Sequence, residues 1–247
     1  MTDVRESGSS ALIIVPTYNE LENLPLIVPA IRASVPDAHI LIVDDNSPDG
    51  TGALADEFAA NDEHILALHR TVKSGLGDAY LAGFEWALDR SYEIVVEMDA
   101  DGSHPADALP ALIAAVRPGS GWGLSIGSRW VAGGSVINWP WHRELLSRAG
   151  NAYARVMLGL KVKDATAGFR AFGPGVLADI HLENVESHGY CFQIDMTRRV
   201  RNAGYLETEV PIVFREREHG QSKMSGSIVR EAMGKVTVWG FARLFGR

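Results

Sequence analysis

The chain has 247 residues, 46% of them apolar, enough for one large α/β domain or two small ones with a sizeable core. A formal net charge of −8 argues against a general nucleic-acid binder, and a lone cysteine, Cys191, excludes an internal disulfide and a cysteine-based metal site. No stretch approaches the roughly 18 to 20 apolar residues of a membrane span, and the polar residues 1–10 lack the apolar centre of a signal peptide. A cytoplasmic protein with a disordered N-terminal tail is therefore expected, and Cys191 is read as a packing residue. Charge is uneven: from Arg215 to Arg247 seven Lys/Arg face three Asp/Glu, a local +4, and the remainder, 16 against 28, carries −12.

Ala11 to Val15 is a short unbroken apolar run, the mark of a buried parallel strand, and Pro16-Thr17-Tyr18-Asn19-Glu20 ends it. Leu24, Ile27, Val28 and Ile31 then recur at helical spacing, with Asn19 and Glu20 suited to the helix start and Pro29 able to kink it. Ile40 to Val43 repeats the strand pattern and runs into Asp44-Asp45-Asn46-Ser47-Pro48-Asp49-Gly50. Thr51 to Ala60 predicts a helix, Ile65 to Leu68 a third strand, and Gly77 to Leu88 a helix with Leu81, Phe84 and Leu88 on one face. Ile94 to Met98 is the fourth strand and leads into Asp99-Ala100-Asp101. A helix from about Ala106 to Val116 and a strand from Leu124 to Ser128, ending in Arg129, follow. Beyond Arg129 the alternation loosens. Gly133-Gly134 reads as a flexible turn, Glu144 to Leu158 as a helix, Asp164 to Phe172 as extended, Tyr190 to Asn202 as a helix and Glu209 to Phe214 as a last strand.

Strand and helix alternating at short spacing imply an open, mostly parallel sheet with helices on both faces, whose ligands belong at the C-terminal strand edge. That rule puts Tyr18 and Glu20, Asp44 and Asp45, and Asp99 and Asp101 along one rim. In extended backbone, Asp99 and Asp101 at i and i+2 would point to one face. Two like charges there suit a divalent cation that also holds phosphate oxygens, since Mg²⁺ takes only one or two carboxylates and fills its other sites with water and substrate. The alternative is a solvated strand end turning through Gly102. Gly75-Leu76-Gly77 lacks the spacing and context of a dinucleotide fingerprint. Arg129, Arg217 and Lys223 could share a diphosphate with the metal, and Gly220 and Ser222 suit a loop approaching phosphate. No histidine pair has metal spacing, and His104 before Pro105 serves the turn.

Taken together, Pro16-Thr17-Tyr18-Asn19-Glu20, Val43 through Thr51, Gly75-Leu76-Gly77-Asp78-Ala79-Tyr80, Asp99-Ala100-Asp101, Gly127-Ser128-Arg129, Gly168-Phe169-Arg170 and Gly220-Gln221-Ser222-Lys223 resemble glycosyltransferase family 2. Within it they are most similar to the polyprenyl-phosphate (dolichyl-phosphate) mannose synthases, over about Leu12 to Lys223. The resemblance implies a GT-A fold over 11–225. It makes Pro16, Tyr18, Glu20, Val43 and Asp45 contacts for the nucleotide of GDP-mannose. Asp99, Ala100 and Asp101 would lie at the sugar-diphosphate, with Asp101 the principal ligand of Mg²⁺ or Mn²⁺. Arg129, Arg217 and Lys223 would bind the donor's sugar or diphosphate, and Arg143 and Ser147 the phosphate of a polyprenyl phosphate acceptor. One departure is Ser103, where relatives often carry a metal-binding Gln; its hydroxyl is a shorter, weaker ligand.

A lipid phosphate is largely ionised at neutral pH, because the second pKa of a phosphate monoester is about 6, so no dedicated general base is needed. Inverting attack would give a β-linked mannosyl phosphate and GDP. Residues 226–247 read as an amphipathic basic helix: Ile228, Ala232, Val236 and Trp239 share a packing face, while Val238, Phe241 and Phe245 fall off it near Arg230, Lys235, Arg243 and Arg247. That second patch suits the inner face of a membrane or a membrane-embedded partner. The rival readings are a polyprenyl-phosphate glucosyltransferase using UDP-glucose and a catalytically silent nucleotide-sugar binding subunit.

Overall fold

A computed structural model describes residues 11–185, 187, 189–216 and 226–245. The tail over 1–10 and the basic segment holding Arg217 and Lys223 lie outside the described residues. The elements run β1 (Ala11–Thr17), α1 (Leu24–Ser34), β2 (His39–Asp44), α2 (Thr51–Asn61), β3 (Ile65–His69), α3 (Leu76–Leu88) and β4 (Ile94–Glu97). A 3₁₀ turn (Ala106–Ala108) leads into α4 (Leu109–Ala115), followed by β5 (Leu124–Ser128), β6 (Ser135–Ile137), α5 (Trp141–Leu158), β7 (Arg170–Phe172) and α6 (Val176–Asp179). After a second 3₁₀ turn (Leu182–Asn184) come α7 (Tyr190–Asn202), β8 (Glu207–Pro211), β9 (Val213–Arg215) and α8 (Gly226–Leu244).

The main sheet has the order β3-β2-β1-β4-β7-β5-β8, and every pairing is parallel except the two that β7 makes. The expected open, mostly parallel sheet is therefore present. The strands β1, β2 and β4 carry unbroken apolar runs through their middles because both faces are covered. Leu12, Ile14, Leu41 and Val43 point into one core with Tyr80 and Phe84 of α3, while Ile13, Val15, Ile40 and Ile42 point into the other with Leu24 and Ile27 of α1. Each fully buried Leu or Ile contributes about 1.5–3 kcal/mol. α3 lies so close to β1 that a Cβ on Gly83 would come within 2.7 Å of Ile14.

Several boundaries differ from expectation, each for a local reason. α1 starts at Leu24 rather than near Asn19, because the Glu20 carbonyl accepts the N–H groups of Asn23 and Leu24 in a preceding turn. Pro29 sits inside α1, on its exposed side. The inward face of α3 is Tyr80, Gly83, Phe84 and Ala87, and Leu88 points outward. α5 begins at Trp141, immediately after Pro140, three residues before Glu144. Of Asp164 to Phe172 only Arg170–Phe172 is strand, and it inserts antiparallel between β4 and β5. The expected strand over Glu209 to Phe214 is two: the ladder on β5 ends at Pro211, Ile212 is buried, and β9 leaves the main sheet to pair with β6. β6 itself follows Gly133-Gly134, where only a turn was expected. α8 packs on α5 and α7, with Ala232 and Val236 buried and Val238, Phe241 and Phe245 exposed.

Candidate active site

Because β2, β1 and β4 are adjacent and parallel, the loops after them meet along one edge. The first two loops are stitched together. Asp44 accepts hydrogen bonds from the Thr17 hydroxyl at 3.1 Å and from the amide and hydroxyl of Ser47. The Asn19 amide donates to Ser47 Oγ, and the Glu20 amide to Thr51 Oγ1 at 2.9 Å. Asn19 and Asn46 take positive φ values of 60° and 59°, a conformation asparagine tolerates better than most residues. Asp49 accepts from the hydroxyl and amide of Thr51 and the amide of Leu21. Burial alone would raise the Asp49 pKa, but these hydrogen bonds outweigh it and hold the carboxyl below its ordinary value.

Asp45 is buried and paired with Arg70, whose other terminal nitrogen donates to Ser74. Burial raises the Asp45 pKa despite the opposing charge and hydrogen bond of Arg70. Beside it, the Lys73 ammonium sits 3.2 Å from the centroid of the Tyr18 ring. Pro16 and Val43 form the buried floor. Arg70 and Lys73 thus bring positive charge to a rim that the sequence alone had read as acidic.

At the third loop the geometry differs from a simple extended pair. β4 ends at Glu97, and Asp101 lies in a turn completed by Gly102 at φ +73°. The turn, rather than strand alternation, sets the positions of Asp99, Ala100 and Asp101. The Tyr80 hydroxyl donates to Asp99 Oδ1 at 2.8 Å, the Asp99 amide donates to His104 Nδ1 at 3.0 Å, and the Ser103 amide donates to Asp101 Oδ1 at 3.1 Å. The His104 ring stacks on Phe169 with centroids 5.0 Å apart. Ser103 is buried, and its carbonyl accepts from the Arg215 amide of β9. Burial, reinforced by the Asp99 charge, pushes the Tyr80 pKa well above its usual value, so its phenol remains a hydrogen-bond donor at neutral pH.

Next to this turn lie two fully buried ionisable side chains, Glu97 and Arg170. Glu97 is fully buried, accepts from Gln193 Nε2 at 2.7 Å, and has its pKa pushed up to about 8 by burial. Arg170, also fully buried, has its pKa lowered by burial to about 10, and donates to the carbonyls of Ala165, Ala167 and Gln193 and to Thr197 Oγ1.

Across the sheet, the residue following β5 is Arg129. It is buried against Asp164, which accepts from Arg129 Nε at 2.8 Å, Nη2 at 2.7 Å and the backbone N–H at 3.0 Å. Thr166 Oγ1 accepts a further bond from Nη2. The structure groups Arg129 with Arg143 and Ser147 along one cavity of about 260 Å³, whose other walls include Trp139, Leu146, Tyr153, Ile194, Met233 and Val236. That cavity is predominantly apolar, and its two arginines both lie over the Trp139 ring. Arg143 pairs with Glu216 and lies over the Trp139 ring, 4.1 Å from its centroid. Asp164, Tyr80, Trp139, Arg70 and Lys73 were not singled out in the sequence. Tyr80 alone had a signal there, as the last residue of the Gly75–Tyr80 stretch.

Among the described residues no helix is long and apolar enough to cross a membrane, and no three His, Cys, Asp or Glu side chains cluster as a complete metal cage. Residues 12–180 match the model of the family described as glycosyl transferase family 2. A polyprenol monophosphomannose synthase of Mycolicibacterium smegmatis is 57% identical over 93% of this chain and 86% of its own length. An undecaprenyl-phosphate mannosyltransferase of Micrococcus luteus is 54% identical over 94% of both. Among solved structures, a mannosyltransferase from Pyrobaculum calidifontis in complex with GDP-Man and Mn²⁺ superposes with a TM-score of 0.60 at 19% identity, over 96% of this chain and 64% of that one. A glucosyl-3-phosphoglycerate synthase from Mycobacterium tuberculosis, bound to Mn²⁺, UDP and glucosyl-3-phosphoglycerate, gives 0.62 at 19% identity, over 98% of this chain and 81% of that one. These two likenesses establish a shared GT-A architecture. With its acidic rim at the edge of a mostly parallel sheet, the chain belongs to glycosyltransferase family 2, among the polyprenyl-phosphate mannosyltransferases.

Proposed function

We propose that the protein transfers mannose from GDP-mannose to a polyprenyl phosphate with inversion, releasing GDP and a β-linked polyprenyl mannosyl phosphate. The observation that carries this reading is the pairing of two unlike sites: a carboxylate-bearing rim after β2, β1 and β4, and an apolar cavity whose lining includes two arginines. An amphiphile with a phosphate head and a hydrocarbon tail fits the cavity's division of chemistry. The names of the two close relatives support the same acceptor and sugar.

The oxygen donors at the turn after β4 fit Mg²⁺ or Mn²⁺. Asp99, Asp101 and the Ser103 hydroxyl are hard ligands, and two carboxylates short of a cage suit an ion completed by diphosphate oxygens. When bound, such an ion supplies charge stabilisation to the departing GDP. Asp101 would be its principal ligand and Asp99, held by Tyr80, would orient the donor. Pro16, Tyr18, Glu20, Val43 and Asp45 would contact the nucleotide, with Ala100 beside the sugar-diphosphate. Arg217 and Lys223 remain proposed contacts of the diphosphate. Arg129, assigned with them by resemblance to the donor's sugar or diphosphate, lines the same cavity as Arg143 and Ser147, its charge balanced by Asp164.

The acceptor phosphate arrives ionised and needs no base. Arg143 and Ser147, one helical turn apart on α5, orient it for attack on the anomeric carbon. The carbon–oxygen bond to GDP breaks as the new bond forms on the opposite face, and GDP leaves with the electron pair. Arg143→Ala should raise the acceptor KM about 10- to 100-fold, as expected for a charge-assisted hydrogen bond, with the GDP-mannose KM unchanged. An unchanged acceptor KM would count against the cavity. Turnover of radiolabelled lipid phosphate with GDP-mannose against UDP-glucose tests the donor; preference for UDP-glucose would sink the mannose assignment.

The exposed side of α8 presents Val238, Phe241, Leu244 and Phe245, beside Arg230 and Arg243. A lipid substrate and this patch support peripheral attachment at the inner membrane face, directly or through a membrane-embedded partner. Replacing Phe241 and Phe245 with Ser should reduce flotation with vesicles containing anionic lipid several-fold. Equal flotation of the variant and the original protein would reject the patch as a membrane contact.

A further inference from the structure

Six buried side-chain polar atoms among the described residues have no hydrogen-bond partner, and three of them belong to side chains grouped around Trp139, at the arginine-bearing part of the cavity: Trp139 Nε1, Trp130 Nε1 and Arg143 Nε. All three are N–H donors. The Trp130 and Trp139 rings meet edge to face at 6.4 Å, and the Arg143 guanidinium lies on Trp139. Burying a polar group without a partner is costly, so three such donors in one place mark a position where an acceptor belongs. Trp139 and Arg143 line the cavity itself.

Charge alone does not account for anion binding here. The two guanidiniums on the cavity are already balanced, Arg129 by Asp164 and Arg143 by Glu216. The Arg143–Glu216 bond uses Nη1, which leaves Nε of the same guanidinium available to another acceptor. A phosphate monoester carries oxygens that can accept several N–H groups at once. Recognition here therefore falls to directional donors more than to net charge.

Resting on the acceptor reading above, we propose that Trp139 is a further acceptor-binding residue, its indole N–H donating to a phosphate oxygen of the prenyl phosphate while its ring face holds Arg143 so that Nε donates to the same group. An indole has one donor and no acceptor; an alcohol oxygen can accept from it, but a bond to an ionised phosphate oxygen is about twice as strong. Trp139 thereby distinguishes a prenyl phosphate from the unphosphorylated prenol.

Trp139→Phe removes the N–H and retains a ring face for Arg143. With saturating GDP-mannose and a short-chain prenyl phosphate, it should raise the acceptor KM about 10- to 100-fold, the loss of one hydrogen bond to a charged group. The GDP-mannose KM and the melting temperature should stay at their original values. If Trp139→Phe leaves the acceptor KM unchanged while Arg143→Ala raises it, the Trp139 assignment is wrong and the cavity reading stands. If neither variant changes it, the cavity reading fails as well. The original protein, labelled with ¹⁵N at tryptophan, gives an independent readout. An indole N–H resonance should move downfield on saturation with prenyl phosphate and not with prenol. No movement, or an equal movement with inorganic phosphate at the same concentration, overturns the assignment.

Discussion

Asp101→Ala is expected to lower kcat/KM for mannosyl transfer by at least about 10³-fold at saturating Mn²⁺, the equivalent of about 4 kcal/mol of transition-state stabilisation. The size follows from what the reaction demands. An ionised lipid phosphate is a competent nucleophile, so departure of the diphosphate dominates the barrier, and Asp101 is the proposed anchor of the charge that eases it. Its structural role is small by comparison. Within the turn it accepts from the Ser103 amide, and the residue is only partly buried. The variant should therefore fold, with a melting temperature near the original and metal-independent GDP binding retained. Activity within tenfold of the original, measured with radiolabelled GDP-mannose, would remove Asp101 from its role. Asp99→Ala is a different test, because it also abandons the Tyr80 hydroxyl in the core.

Asp164→Ala should have the largest effect on stability, about 3–5 kcal/mol, because it strands a buried guanidinium. Asp164 is fully buried and accepts three hydrogen bonds from Arg129 alone, with Thr166 and Asn151 alongside. Its amide in turn donates to Glu209, tying this loop to β8. At roughly 2–4 °C per kcal/mol for a chain of this size, the melting temperature should fall by about 6–20 °C. Urea unfolding provides the check, and a loss below 1 kcal/mol would show that water replaces the carboxylate. Replacing both partners, Asp164→Ala with Arg129→Met, should recover much of the loss, since removing both charges spares the unpaired one. The same double variant should still show an impaired acceptor KM, because Arg129 forms part of the cavity wall.

The first half of the chain was nearly all legible. Strands buried on both faces announce themselves as unbroken apolar runs, and parallel alternation places their C-terminal loops on one edge. Tyr18, Glu20, Asp45 and Asp99 could thus be assigned to a shared rim before any coordinates. Errors there were local. Asp99 and Asp101 are placed by a turn running into Gly102 and not by strand alternation, because β4 stops at Glu97. Leu88 faces solvent because α3 turns its small residues, Gly83 and Ala87, toward β1 and the core.

The second half resisted for a different reason. β7 is three residues long, too short for a periodic signal, and only its pairing with β4 and β5 identifies it. Arg129 and Asp164 are 35 residues apart, and nothing in either neighbourhood predicts that one neutralises the other.

Residue order by itself determined which segments are buried strands, which helices cover them, and which carboxylates crowd the sheet edge, since all of these depend on burial patterns repeated over a few residues. Partnership came from the folded chain: the antiparallel insertion of β7, the Arg129–Asp164 pair, and the packing of α8 on α5 that encloses the cavity beside Trp139 and Arg143. Local periodicity records how much of a side chain is hidden. It does not record what hides it, because long-range contacts are selected by the competition of all surfaces at once.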